Sequence, residues 1–256
     1  MKGLIYREFY LSRKPVVYML LAYIIFVLMI TMIIISTYAG NLAKSNDSAD
    51  TRDYLLSQMY LYAGLIGMAG CTYGHNDLIE KDYKSRWQLY SYTLPVHEKK
   101  IMQSKLILRT TLLSLGFVLA VIADVIFSAA GKVPVSSEHI KNILVILFVY
   151  GSMCIIDIPY MIIMKTQNRG VAFAMIPLVI LTTAVGYGTY KFTKFCYAEA
   201  ARLYPDMEGD AGMMKVAMPY ITKWRDIFLW AGPFILIGIV IITYFWGIKE
   251  LKRRRY

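Results

Sequence analysis

The run from Pro15 to Ala43, PVVYMLLAYIIFVLMITMIIISTYAGNLA, contains no charged residue. It exceeds the roughly 20 helical residues that cross a bilayer. Its reading as a membrane helix sets the class of the chain. Further uncharged runs cover 54–76, 170–190 and 227–248. Of the 256 residues 57% are hydrophobic and only 18% charged, and the mean hydropathy is +0.48. Soluble domains hold about 45–50% apolar residues. A soluble enzyme, a disordered chain and a disulfide-stapled secreted domain are excluded. The three cysteines, Cys71, Cys154 and Cys196, are odd in number and irregularly spaced, which is no disulfide framework. Lys2, Arg7, Arg13 and Lys14 precede the first run. That run is longer than the ~7–15-residue core of a cleaved signal, so it reads as a retained span.

The expected fold is an all-α integral membrane protein with six transmembrane helices, at about 16–38, 54–74, 106–130, 142–164, 171–190 and 227–248. The third span includes Arg109 near its start, from where it can snorkel to the headgroups, and Asp124 near its far end. An even number of spans puts both termini on one side. With the termini inside, 18 Lys and Arg fall inside and 10 outside. Positive residues favour the cytoplasmic face, so both termini are expected there, in a plasma membrane. The net charge of +11 is then a topology signal. No basic patch of a folded soluble surface is visible, and no nucleic-acid partner is expected.

The main cytoplasmic feature is the segment 75–105. Tyr83, Trp87, Tyr90 and Leu94 recur at helical spacing and share one face, beside a polar strip of Lys84, Gln88 and Ser91. This predicts a short amphipathic helix that ends before Pro95, with Pro95 starting the next helix. The aromatic face fits two roles. It can lie at headgroup level, or it can seat in the groove of a cytoplasmic partner.

The opening Met1-Lys-Gly-Leu-Ile-Tyr-Arg-Glu-Phe-Tyr, with Arg13-Lys14 before the first span, resembles the start of type-2 ABC-transporter permeases. Asp77 through Lys105, with Leu94-Pro95-Val96, resembles the loop after their second span. Length, span count and cytoplasmic termini also agree. Within the family the chain looks most like the small bacterial permease subunits that export amphipathic peptides, such as the phenol-soluble modulin exporters. The resemblance implies a homodimer of permeases in the bacterial cell membrane. It implies an ABC ATPase subunit on the cytoplasmic side, which binds the ATP and Mg; no cofactor is expected in this chain. It maps the coupling helix to about Asp82–Thr93, with ATPase contact through Tyr83, Arg86, Trp87, Tyr90 and Leu94. Residues 1–14 would be an interfacial connecting helix. There Leu4 and Leu11 share a face that Glu8 interrupts.

Catalytic chemistry is not visible. There is no G-x-x-x-x-G-K-[ST] to cradle phosphates and no G-x-S-x-G elbow. His75, His97 and His139 are isolated, without metal-ligand spacing. The chain is expected to be a transport subunit and not an enzyme. Two acids lie within spans, Asp124 and Asp157. Asp157 sits ~12 Å deep, counting from Lys165 at 1.5 Å per residue. An ionised acid at the midplane costs ~2.5–3.5 kcal/mol, yet no Lys or Arg within the spans stands out as its counter-ion. Asp124 lies nearer the outer surface and costs less. Either acid can belong to a substrate path. Asp157 can equally be a helix–helix contact beside Pro159, which removes one backbone hydrogen bond. A rival function is an ion-coupled secondary transporter that uses both acids as a relay. A third is a scaffold or immunity-type membrane protein. Gly64, Gly67, Gly70 and Gly74 share one face of the second span and allow close helix approach. The extracellular piece 191–226 is mixed in polarity, which suits a cap or an exit surface at the outer leaflet.

Overall fold

The structure, a computed structural model, describes residues 2–39, 49–84, 96–164, 167–205 and 209–255. Among them the regular structure is entirely helical: α1 Lys2–Ala39, α2 Ala49–Lys84, α3 Glu98–Gly131, α4 Ser137–Met164, α5 Gln167–Leu203 and α6 Gly209–Arg255. Among the described residues four stretches are long and apolar enough to cross a membrane: Lys2–Ser36, Glu98–Gly131, Ser137–Ile162 and Gly212–Arg253. The expected crossings at 54–74 and 171–190 fall on α2 and α5, where many side chains lie outside the described residues.

The chain forms two compact units, residues 1–165 with 233–256, and residues 166–232. In the first, α2 pairs most extensively with α3, and α1 and α4 each pack against both. Helix α1 runs unbroken through Pro15, so the 1–14 segment and the first apolar run are one rod. Its 38 residues make it about 57 Å long. One side of it, Tyr23, Val27 and Ile34, is buried with Tyr60 and Ala63 of α2 and Ala123 and Phe127 of α3. Leu21, Ile25, Leu28 and Met32 are exposed, as suits a lipid-facing side. The Tyr23 hydroxyl donates to the carbonyl of Ala63 at 3.2 Å and also lies 3.3 Å from that of Leu119, which spares the core an unpaired hydroxyl.

The glycine face of α2 is used within the chain. A Cβ at Gly67 would meet the Tyr23 ring at 3.2 Å and the Gly116 carbonyl at 3.3 Å. The closest backbone approach is on α3. A Cβ on Gly116 would stand 2.6 Å from the Met68 Cα, so the α2–α3 crossing requires glycine there. Helix α3 starts later than Pro95. Val96 and His97 are not helical, and His97 is extended at φ −69° and ψ 138°. Glu98 then supplies the acid that favours a helix N-terminus. Helix α4 continues through Pro159.

The second unit is a helical hairpin of α5 and the first half of α6. Cys196, Ala200, Val216 and Ala217 form its small core, edged by Phe192, Tyr204 and Met213. Most of the 191–226 piece is therefore helix and not loop. Tyr187, Tyr190, Trp224 and Trp230 stand exposed on this unit.

Candidate functional site

Of the residues expected to meet an ATPase, Arg86, Trp87, Tyr90 and Leu94 lie outside the described residues, as does the side chain of Tyr83. The side chains that flank this segment are described, and they form a network. Asp82 lies in the last turn of α2 before it, and Lys105 lies two turns into α3 after it. Lys105 Nζ donates to Glu8 Oε1 at 3.3 Å and to Asp82 Oδ2 at 3.4 Å. Arg7 donates to both oxygens of Asp82, at 3.3 Å to Oδ2 and in a second, shorter bond to Oδ1. Arg7 Nη1 also lies 3.4 Å from Glu8 Oε1. Glu8, Asp82 and Lys105 are each less than a tenth exposed. Charges so buried persist only when paired.

This corrects the reading of Glu8 as an interruption of an amphipathic face. The inward side of the N-terminal turns is Leu4, Glu8 and Ser12, spaced by four, whereas Leu11 is exposed. Glu8 is the inward contact because Lys105 waits for it. Apolar packing runs the same way: Leu4 and Val96 pack on a cluster that includes Ile101, Met102, Ile248 and Leu251.

One turn further along α3 lies a second polar layer. Arg109 does not snorkel; it is fully buried. Its Nη1 donates to the Thr72 carbonyl at 3.0 Å, and its Nη2 lies 3.7 Å from Asp157 Oδ2. Asp157 therefore has a basic counter-ion within the helices, contrary to the expectation from sequence. The Asp157 side chain remains 37% exposed. The Thr72 hydroxyl lies 2.8 Å from that of Tyr150, so α2, α3 and α4 meet through one connected polar group. His75, next to this layer on α2, is fully buried, with no hydrogen-bond partner for either ring nitrogen among the described residues.

A third layer lies near the other end of α3. Asp124 is only 1% exposed. It is not eased by a nearby surface. His139 lies against it, with Nδ1 3.3 Å from Asp124 Oδ1. The Tyr60 ring lies 4.2 Å from the His139 ring, and the Tyr60 hydroxyl lies 3.0 Å from that of Ser128. His139 is thus not isolated. Asp124 and Arg109 are about four turns apart on α3, about 22 Å. Asp124 and Asp157 accordingly belong to separate layers. Among the described residues no group of three or more His, Cys, Asp or Glu is placed to hold a metal.

Sequence reasoning passed over Glu8, Lys105, Arg109 and His139 as partners. The available signal was the cost of leaving an acid in an apolar run, which calls for a cation somewhere else in the chain.

Apolar rods wide open to lipid, joined by buried ion pairs, define a multi-pass helical membrane protein. A family model described as ABC-2 family transporter protein matches residues 3–252. The chain belongs to this family, which makes it an ABC permease subunit, a transport component with an ABC ATPase as partner. No curated protein and no solved structure matches it.

Proposed function

We propose that this permease is half of an ATP-driven exporter that moves amphipathic peptides, or similar hydrophobic molecules, out of a bacterial cell. Two copies would form the transmembrane unit, each with six crossings and cytoplasmic termini. Residues Asp82–Thr93 would act as the coupling helix, with Tyr83, Arg86, Trp87, Tyr90 and Leu94 seated in the ATPase. ATP-driven closure of the ATPases would shift this helix and, through its flanks, the spans. The observation that carries the reading is the buried network at those flanks. Asp82 before the segment and Lys105 after it are tied to each other, which supports a segment held firmly at both flanks. The lack of a P-loop in the sequence agrees with a motor on another chain.

The pairing of Asp157 with Arg109 and of Asp124 with His139 supports a structural role for both acids over a relay. The direct test replaces Trp87 and Tyr90 with Asp. The double variant is expected to insert normally and to lose at least about tenfold in ATPase-subunit association, the effect of ~1.4 kcal/mol or more. Co-purification at the native level would refute the assigned contact. Stimulation of ATP hydrolysis by amphipathic helical peptides, set against lipids, tests the cargo class.

A further inference from the structure

We infer that Arg7, Glu8, Asp82 and Lys105 are positioning residues that clamp the first turns of α1 to both flanks of the 85–95 segment, so that all three move as one body. The inference rests on reading that segment as the ATPase contact, and it adds a third moving part, the N-terminal end of α1.

The geometry carries it. Lys105 Nζ reaches Asp82, which closes the two flanks of the segment on each other, and reaches Glu8, which closes both onto α1. Arg7 makes a second, two-pronged link from α1 to Asp82. Three of the four side chains are almost fully buried. Pulling α3 away would part buried Lys105 from both carboxylates, and pulling α1 away would take one partner each from buried Asp82 and Lys105, an unfavourable change. Leu4 against the cluster that also holds Val96, Ile101 and Met102 adds an apolar contact between the same elements. A displacement of the segment is therefore not absorbed by bending at its flanks. It passes to α3 and, through Glu8 and Arg7, to a helix that continues to Ala39 without a break.

The test measures the tie itself. Spin labels are placed at Tyr6→Cys and Lys99→Cys, both exposed positions, with Cys71, Cys154 and Cys196 replaced by alanine. Distances are read in liposomes, without nucleotide and after vanadate trapping with a co-expressed ABC ATPase chain. The otherwise native protein is expected to give one narrow distance that does not change on trapping. The double variant Glu8→Gln with Lys105→Met keeps the cluster in charge balance, so it folds, but removes the ties between α1 and α3. Its distance distribution is expected to broaden roughly twofold while ATPase co-purification is retained. Lys105→Arg, which keeps the cation, is expected to stay narrow. A native width in the double variant overturns the clamp, and so does a shift of the native distance on trapping. If no ATPase co-purifies with the native chain, the reading of the segment fails instead, and the nucleotide-free widths still decide the clamp.

Discussion

The two units solve the same problem with different materials. Every buried charged side chain among the described residues belongs to the unit of 1–165 and 233–256: Glu8, Asp82, Glu98, Lys105, Arg109, Asp124 and the imidazoles of His75 and His139. The 166–232 unit closes on Cys196, Ala200, Val216 and Ala217, with Tyr187, Tyr190, Trp224 and Trp230 turned outward. Ion pairs in a dry interior are strict about partner and direction, whereas small apolar contacts are not. The contrast teaches that geometry is specified most tightly where charge is buried, at the flanks of residues 85–95 and along α3. The hairpin of the other unit has a small apolar core, with its described charges paired nearer the surface.

Removing the fully buried guanidinium of Arg109 should do the most damage. Arg109→Met leaves Asp157 and the Thr72 carbonyl without their donor and is expected to cost about 3–5 kcal/mol. Thermal unfolding in detergent measures it, and adding Asp157→Asn should recover part of the loss because no unpaired charge then remains. An undiminished loss in the double variant would place the cost in packing and not in charge. Overpacking the α2–α3 crossing should matter less. Gly116→Val drives a side chain into the Met68 backbone, with an expected loss of about 1–3 kcal/mol by the same unfolding assay. The smallest effect is expected on the other unit. Trp230 is 77% exposed, and Trp230→Ala should shift stability by no more than about 0.5 kcal/mol. A larger loss would show that this unit depends on its outward aromatics, and the contrast would fail.

The long apolar helices were legible from sequence because lipid demands uninterrupted runs; α1, α3, α4 and α6 contain those runs, and α1 and α6 extend well beyond them. The glycine face of α2 was legible for the same reason, as a period within one helix. Partners across helices were not. Glu8 and Lys105 are 97 positions apart, and Arg109 and Asp157 sit on different helices whose relative rotation no local pattern records. Asp157 raised the right question, since an acid at that depth needs a cation. The answer was missed because Arg109, close to a predicted boundary, reads as a residue headed for the headgroups. Gly116 escaped because a single glycine in an apolar run carries no period. The aromatic rung of Tyr83, Trp87, Tyr90 and Leu94 lies outside the described residues, so its direction rests on spacing alone.

The clamp joins two cations to two anions, Arg7 and Lys105 with Glu8 and Asp82. Its charges cancel. A lone charge dragged through a membrane potential exchanges about 2.3 kcal/mol of electrical work per 100 mV, but a neutral foursome moving together exchanges almost none. The proposed joint is therefore blind to voltage, and its hold on the two flanks of residues 85–95 would be the same in an energised cell and a depolarised one.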